Sequence, residues 1–295
     1  MNINEESFKF LLEKIARKEF VEELSFGSFK VYLADLNKIF SLEDAVEVVA
    51  AGMGLLGKVE IEENRIFVEI PDHVSLAALG CQMGGWGVRI DEKNVAIASG
   101  PARILARKPS EIFDSLDYNE KSEKGVLFLE TDVSPSPSCI QKVLEKTGAN
   151  ELILAYFSGS SLFGFLSVLG RVVEQGVFRL NHLGYDINQI KSGRGTVEIP
   201  LFQKGNPDSM FLANDAIIYS GDVELVVEDW NPDLTEKCVS SSSLSYGKTF
   251  KEIFLEAGKD FYKIDEAIFA PAKITIHDKK NGMAYGAGKV RKSQE

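Results

Sequence analysis

Arg171 and Glu174 are the two residues whose types and spacing most directly suggest chemistry. They are the first charges in a largely apolar run that begins at Leu162. Their separation of three residues places both side chains on one face of a helix. A helix that is apolar nearly all round is typically buried in a core or at an interface. Burying the two charges costs several kcal/mol per ion unless each has a good partner.

Two interpretations of this pair remain open from the residues alone. The pair can be a structural salt bridge that locks the helix in place. Alternatively, Glu174 can be a carboxylate whose pKa is tuned by burial beside a fixed cation, in a cleft between domains. Gly164, Gly170 and Gly176 weaken the helix intrinsically. Glycines at these positions favour the close approach of a flat ligand or of another backbone.

The elements that must position the pair are strands and helices mixed without regular βαβ alternation. This mixture predicts an α+β fold rather than a doubly wound sheet. We predict one long helix over 162–183, ended by Gly184 as a left-handed cap. The other predicted helices cover 41–56, with Ser41 as N-cap, 136–148 and 248–258. Predicted strands cover 31–36, 59–63, 65–70, 126–131, 151–157, 215–229 and 272–278.

A polar stretch from Ser115 to Lys124 is the best candidate for a domain boundary. It predicts an N-terminal α+β domain over residues 1–120 and a second α+β domain over 121–295 that carries the Arg-x-x-Glu helix. In this division the C-terminus can cross back onto the first domain.

The segment Gly52–Gly57 fits the GxGxxG pattern of dinucleotide-binding loops. In such loops the glycines follow a strand and open a helix, so that the pyrophosphate meets helix N-terminal amides. Here the glycines end a predicted helix and precede a predicted strand. The order of elements therefore favours a tight turn at the end of a helix, here called a tight helix exit. A nucleotide-dependent oxidoreductase is a third and more distant hypothesis, after the two described below.

Composition excludes several classes of protein. The net charge of −11 argues against a nucleic-acid partner, which needs a basic face. We expect no membrane span, because no 18-residue run is free of charge, and the N-terminus lacks the pattern of a signal peptide. The cysteines, Cys81, Cys139 and Cys238, are far apart and suggest neither a disulfide framework nor a zinc site. The histidines lack ligand spacing. We therefore expect a cytoplasmic protein without a metal.

The segment GRVVEQGVFRLNHLGYDINQIKSGRG at 170–195 resembles the central signature of the methenyltetrahydromethanopterin cyclohydrolases. The similarity extends over almost the whole chain, and its C-terminal part is long enough to be specific. Further matching segments are LGCQMGGW (79–86), SGPARILA (99–106), ANDAIIYSG (213–221) and the region 246–289.

The resemblance implies the reversible hydrolysis of 5,10-methenyltetrahydromethanopterin to the 5-formyl derivative, without a metal or redox cofactor. It also implies a homotrimer of subunits with two α+β domains and a pocket between them, which binds a reduced pterin. The family's functional arginine and glutamate fall on Arg171 and Glu174. The matching segments imply substrate contacts at Gln82, Ser99, Gly100, Arg103, Ser192, Asn214 and Asp215.

The chemistry of this family suits the pair. Because the methenyl carbon belongs to an amidinium-like cation, it is already electrophilic, and the reaction needs a positioned water and a proton carrier. We expect Glu174 to act as general base and then general acid, which contributes about 10²–10⁴-fold to the rate. We expect Arg171 to hold Glu174 and the water, and to keep the carboxylate from simply pairing with the cationic ring.

The chain departs from the family at positions expected on the pocket walls. A Pro-Gly-Ser turn is replaced by Ile39, Phe40 and Ser41, and an Ala-Pro-Thr segment by residues 155–157. Cys81 replaces a serine, and Met83 replaces a lysine or tyrosine. These changes leave a second hypothesis open, in which the chain is a non-catalytic or substrate-shifted relative that binds a reduced pterin.

Overall fold

The computed structural model describes residues 1–15, 18–39 and 41–291, so the predicted wall position Phe40 lies outside the described residues. Within these ranges the chain forms two six-stranded mixed sheets with helices packed on them, which confirms the α+β fold. The strands are β1 (Val21–Phe26), β2 (Phe29–Asp35), β3 (Lys58–Glu62), β4 (Arg65–Ile70), β5 (Trp86–Arg89), β6 (Val95–Ser99), β7 (Lys124–Glu130), β8 (Glu151–Phe157), β9 (Ile190–Glu198), β10 (Asp222–Val227), β11 (Lys273–Asp278) and β12 (Ala284–Gly288).

Helical segments connect these strands and cover the sheets. The α-helices are α1 (Ile3–Ile15), α2 (Leu42–Gly52), α3 (Ala102–Ala106), α4 (Ser110–Ser115), α5 (Pro137–Thr147), α6 (Leu162–Leu169), α7 (Val172–His182), α8 (Ser209–Ser220) and α9 (Phe250–Glu256). A π-helix spans Leu76–Gln82. Short 3₁₀ turns cover Leu36–Lys38, Ile187–Gln189, Pro232–Lys237, Ser240–Ser242, Phe261–Lys263 and Glu266–Ile268.

The two sheets differ in strand order and direction. The first sheet has the order β1-β2-β8-β7-β6-β5, with β8 parallel to both β2 and β7. The second sheet has the order β12-β11-β10-β9-β4-β3, and within it β10 and β11 are parallel. Each sheet therefore brings together strands that are distant in the sequence.

Sheet membership does not follow the predicted boundary at residue 120. β3 and β4 precede this boundary but belong to the second sheet, whereas β7 and β8 follow it and belong to the first. The chain thus crosses between the sheets more than once. The division into two domains at residue 120 stays a prediction.

The Gly-rich segment that resembles a nucleotide-binding loop forms the end of α2 and the turn that follows it. Ser41 caps α2 by accepting a hydrogen bond from the Asp44 N–H at 3.3 Å, as predicted. The helix ends at Gly52, and Gly54 has a φ of +74° in the turn that leads to β3. Because these glycines close a helix rather than open one, the prediction of a tight helix exit is confirmed.

The predicted long helix over 162–183 is wrong in one respect, because it is broken into α6 and α7 at Gly170 and Arg171. The Gly170 carbonyl accepts a hydrogen bond from the Gln82 side-chain amide at 2.9 Å. A Cβ on Gly170 would lie 2.7 Å from Cγ1 of Val49, so α2 packs closely against the break. The predicted end is confirmed, since Gly184 has a φ of +77°.

The prediction of a strand from residue 215 is also wrong, because residues 215–220 form the C-terminal half of α8. The β-branched pair Ile217 and Ile218 favours a strand locally. In the fold, however, Ala213 and Ile217 are both fully buried at a spacing of four residues, on a helix that packs against α6. Tertiary packing therefore overrides the local propensity.

Two glycines on β9 let α7 approach the second sheet closely. A Cβ on Gly193 would lie 3.0 Å from the Val173 side chain, and a Cβ on Gly195 would lie 3.0 Å from those of Val172 and Val173. This contact holds the first turn of α7, which includes Glu174, over the second sheet.

The three cysteines are free and buried. Across residues 1–15, 18–39 and 41–291, no group of side chains has the arrangement of a metal site. No helix in the same ranges is long and apolar enough to cross a bilayer.

Candidate active site

A cavity of about 490 Å³, here called the large cavity, lies between elements of the two sheets. One wall comes from the 83–85 loop, β6, α4 and the end of β7. The opposite wall comes from α6, α7, α8 and the segment 261–269. Arg171 and Glu174 both line it, so the predicted pair lies at the junction of the two halves of the fold.

Arg171 occupies the break between α6 and α7, and it lines the large cavity with a partly buried side chain. Its guanidinium makes no hydrogen bond or ion pair with any residue that the structure describes, and its Nε is buried. A guanidinium carries five N–H donors in a planar fork. The donors of Arg171 are therefore available to a ligand.

Glu174 lies in the first turn of α7, and only 5% of its surface is exposed. Burial raises the pKa of its carboxyl to about 7, although the nearby Arg171 and Arg103 guanidinium groups oppose this rise. Within the described ranges its carboxylate forms no ion pair with Arg171 or any other cation. The interpretation of the pair as a structural salt bridge is therefore not supported by the geometry.

A third group in the large cavity, Glu130, was missed by the sequence analysis. Glu130 is the last residue of β7 and lines the cavity together with Arg171. Burial raises the pKa of its carboxyl, Arg171 opposes this rise, and Asp132 adds to it. The available signal was a carboxylate that directly follows the apolar, buried residues 126–129.

A small cavity of about 20 Å³, here called the back cavity, also borders Arg171. Gln82, Ser99 and Ser167 line it together with apolar side chains of α2, β7, β8 and α6. The structure therefore brings two predicted substrate contacts, Gln82 and Ser99, next to Arg171, but away from the wall of the large cavity.

Arg103 and Gly100 support the loop at the edge of the large cavity. Arg103 is completely buried, and its guanidinium donates to the carbonyl oxygens of Leu79 at 2.9 Å and Met83 at 2.7 Å. Desolvation lowers the pKa of this guanidinium to about 10. Gly100 has a φ of +103°, and its N–H donates to the Cys81 carbonyl at 2.7 Å. Both residues thus position backbone in this structure rather than line the cavity.

Asn214 and Asp215 are neighbours on α8 with different surroundings. Asn214 lines the large cavity, and its side-chain amide donates to the Met210 carbonyl at 2.9 Å. Asp215 accepts a hydrogen bond from the Phe250 N–H at 2.7 Å, which ties the start of α9 to α8. Burial raises the pKa of Asp215 to about 6.

Ser192 lies on the opposite face of the second sheet from α7. Side chains alternate between the faces of a strand, and its neighbour Gly193 faces Val173 on α7. Ser192 lines a separate cavity of about 480 Å³, together with Glu224 and His277. The structure therefore does not bring Ser192 to Arg171 and Glu174.

The positions that depart from the family pattern differ in whether they line a cavity. Met83 lines the large cavity, and Phe157 lines the back cavity. Cys81 and Ile39 are buried in the core and line neither of the two. Of the departing positions that the structure describes, Met83 is thus the one that lines the large cavity.

The lining of the large cavity is more acidic than basic. His182 Nε2 lies 3.2 Å from Glu266 Oε2, so these two side chains form an ion pair when His182 is protonated. Among the described residues, the acidic side chains on the wall are Glu111, Glu130, Glu174 and Glu266, and the basic ones are Arg171 and His182. An acidic cavity attracts a cationic ligand.

Known proteins are similar to this chain over most of its length. A family model described as Cyclohydrolase (MCH) matches residues 35–294. The methenyltetrahydromethanopterin cyclohydrolase of Methanospirillum hungatei is 36% identical over 250 residues, which cover 81% of this chain and 78% of that protein. The protein of the same name from Methanothermobacter marburgensis is 35% identical over 226 residues, covering 74% of this chain and 70% of that protein.

Proposed function

We propose that this chain, which belongs to the cyclohydrolase family, catalyses the reversible hydrolysis of 5,10-methenyltetrahydromethanopterin to 5-formyltetrahydromethanopterin. The observation that carries the proposal is the buried carboxyl of Glu174, with a pKa of about 7, beside the Arg171 guanidinium in the large cavity; neither group has a partner among the described residues. The names of the relatives, methenyltetrahydromethanopterin cyclohydrolases, support the substrate.

In the first step, a water molecule attacks the methenyl carbon, and a new C–O bond forms. Glu174 takes one proton of this water, so the cation becomes a neutral adduct with a hydroxyl group. A general base is most effective when its pKa is close to the working pH. A pKa of about 7 leaves a substantial part of Glu174 ionised at neutral pH and ready to accept that proton.

In the second step, the C–N10 bond breaks while the hydroxyl oxygen becomes the formyl carbonyl. The hydroxyl proton leaves to solvent, and Glu174 returns its proton to N10, so the overall reaction consumes one water and releases one proton. Arg171 orients the water through N–H donors that have no partner among the described residues, and its charge acts on the Glu174 carboxyl electrostatically. Its positive charge also keeps Glu174 from pairing directly with the cationic ring.

The walls of the large cavity suit a flat cation. Apolar side chains such as Ile97, Phe178 and Phe269 can contact the faces of a ring system. The acidic groups of the lining, which include Glu130, favour the positive charge of the methenyl form over the neutral formyl product.

The proposal includes no metal and no redox cofactor. The methenyl carbon carries the electrophilic character that a Lewis acid would otherwise supply, and the reaction transfers no electrons. We expect the rate to be unchanged after dialysis against a chelator.

The test of the proposed function uses the purified chain and methenyltetrahydromethanopterin. We expect the absorbance of the methenyl chromophore to decay with saturable, enzyme-dependent kinetics. Decay no faster than in buffer contradicts the proposal.

A second function is favoured by one observation, the methionine at Met83 on the wall of the large cavity. Met83 supplies an apolar surface where the family pattern has a lysine or tyrosine. In this second function, the chain is a relative that binds a reduced pterin without hydrolysing it, or a relative that prefers a pterin with another tail. In the same assay, this function predicts saturable binding of the substrate without decay of the chromophore.

We further propose that the chain is a cytoplasmic homotrimer, as its resemblance to the family suggests. Three free, buried thiols are compatible with a reducing compartment. Sedimentation velocity tests the assembly, and a species with the mass of one chain of 32.6 kDa contradicts it.

A further inference from the structure

We propose that a water molecule, bound by Gln82, Ser167 and Arg171 in the back cavity, fixes the plane of the Arg171 guanidinium for the proposed reaction. Gln82 and Ser167 are then positioning residues for Arg171. This inference rests on the proposed function for its kinetic consequence, but the binding site itself is independent of it.

Three buried polar atoms that have no hydrogen-bond partner among the residues that the structure describes belong to residues that line the back cavity. They are Gln82 Oε1, Ser167 Oγ and Arg171 Nε. The side chains of Gln82 and Ser167 are only 5% and 8% exposed. Native proteins pair nearly all such atoms, and they use ordered water where no protein partner exists.

The orientation of the Gln82 amide is set by its other contact. Its Nε2 donates to the Gly170 carbonyl at 2.9 Å, and a carbonyl oxygen can only accept. Because the amide nitrogen must therefore face Gly170, Oε1 is fixed as the remaining acceptor.

The chemistry and size of the back cavity select water among possible occupants. Gln82 Oε1 requires a donor, Arg171 Nε–H requires an acceptor, and Ser167 Oγ can serve as either. A cation cannot satisfy the guanidinium, and an anion cannot satisfy the amide oxygen, whereas water both donates and accepts. The volume of about 20 Å³ exceeds the ~10–15 Å³ that one water molecule needs.

This water connects the back cavity with the large cavity through Arg171, which lines both. Its Nη1 lies 3.9 Å from the position of a Cβ on Gly84, a residue on the wall of the large cavity. Because the guanidinium is planar, a hydrogen bond at Nε restricts the rotation that places the terminal nitrogens. The water thus orients the donors that face the substrate.

The binding site is tested by crystal structures of the wild type and of Ser167→Ala that include ordered solvent. In the wild type we expect a water within about 2.7–3.2 Å of all three polar atoms. In the variant we expect this water to be shifted or lost. No water at this position in the wild type overturns the proposal, whether or not the protein hydrolyses the pterin.

The positioning role is tested by the kinetics of the same variant. Ser167→Ala is expected to lower kcat about tenfold with little change in KM, because a small misplacement of a catalytic group is costly. The acid limb of its pH–rate profile should move to higher pH, since a displaced Arg171 lowers the pKa of Glu174 less effectively. A wild-type kcat and pH profile in Ser167→Ala contradict the role.

Three further variants complete the test. Ser7→Ala removes another completely buried hydroxyl, on α1, which has no partner in the part of the chain that the structure describes. Ser7 lines neither cavity. We expect the kcat of Ser7→Ala to equal that of the wild type. Adding Ser167→Ala to Gln82→Met should lower kcat no further than Gln82→Met alone, because both side chains act through one water. Fully additive losses contradict a shared water.

Discussion

The side-chain amide of Gln82 donates to the main-chain carbonyl of Gly170 at 2.9 Å, across 88 residues of sequence. In an uninterrupted helix this carbonyl would accept from the amide of residue 174. The contact therefore stabilises the break between α6 and α7 and places Arg171 at a corner between two cavities. A predicted substrate contact and the predicted catalytic arginine are thus joined through the backbone.

Replacement of Glu174 tests its role in proton transfer. Glu174→Gln keeps the size of the side chain but removes the group that accepts and returns a proton, so we expect kcat to fall by about 10²–10⁴-fold. The measurement is the decay of the methenyl chromophore at saturating substrate. Wild-type turnover in this variant would show that Glu174 does not carry the proton.

The same variant should change stability in a pH-dependent way. The pKa of Glu174 is about 7 in the folded protein and 4.5 in the reference state. Below pH 4.5 both states are protonated, so the carboxyl has no effect on unfolding. As pH rises from 4.5 to 7, the unfolded state ionises first and is favoured, which destabilises the fold by about 3 kcal/mol above pH 7.

Glu174→Gln is therefore expected to be more stable than the wild type at pH 8 and similar to it at pH 4.5. The measurement is urea unfolding of both proteins at the two pH values. An equal difference in stability at both pH values would mean that the buried carboxyl does not titrate with a raised pKa.

Much of the local structure and the central pair could be predicted from the sequence. Ser41 marks the start of α2, the left-handed Gly184 marks the end of α7, and apolar alternation marks β3 and β4. These signals are local, because a cap or an alternating pattern depends on a few neighbouring residues. The types and spacing of Arg171 and Glu174 are equally local.

The features that the sequence did not reveal depend on distant contacts. The break at Gly170 requires Gln82 and Val49, which approach only in the folded chain. Glu130 follows an apolar run, but its position in the large cavity depends on how β7 pairs within the first sheet. The displacement of Ser192 to the other face of the second sheet follows from the alternation of β9 around Gly193.

Replacement of Arg171 should shift the pH dependence of the reaction. The positive charge of Arg171 lowers the pKa of Glu174, so Arg171→Met is expected to raise this pKa above its value of about 7. The acid limb of kcat/KM should move to higher pH. Arg171→Lys keeps the charge and serves as the control, with a smaller shift. An unchanged acid limb in Arg171→Met would contradict electrostatic coupling between the two side chains.

Replacement of Glu130 should affect binding more than chemistry. Glu130→Gln removes one negative charge from the lining of the large cavity, so we expect KM for the cationic substrate to rise about tenfold with kcat within about twofold. Glu13→Gln, an exposed change on α1, is the control for loss of charge alone. A large fall in kcat without a rise in KM would assign Glu130 to proton transfer instead.

Replacement of Asp215 separates a structural role from substrate binding. Asp215 holds the Phe250 N–H at 2.7 Å and does not line the large cavity. Asp215→Ala leaves this buried donor unpaired and should lower the free energy of unfolding by about 1–3 kcal/mol. Asp215→Asn keeps an acceptor oxygen and should lose less. Thermal unfolding and KM are measured for both variants. A raised KM with unchanged stability would show that Asp215 contacts the substrate and that its bond to α9 is secondary.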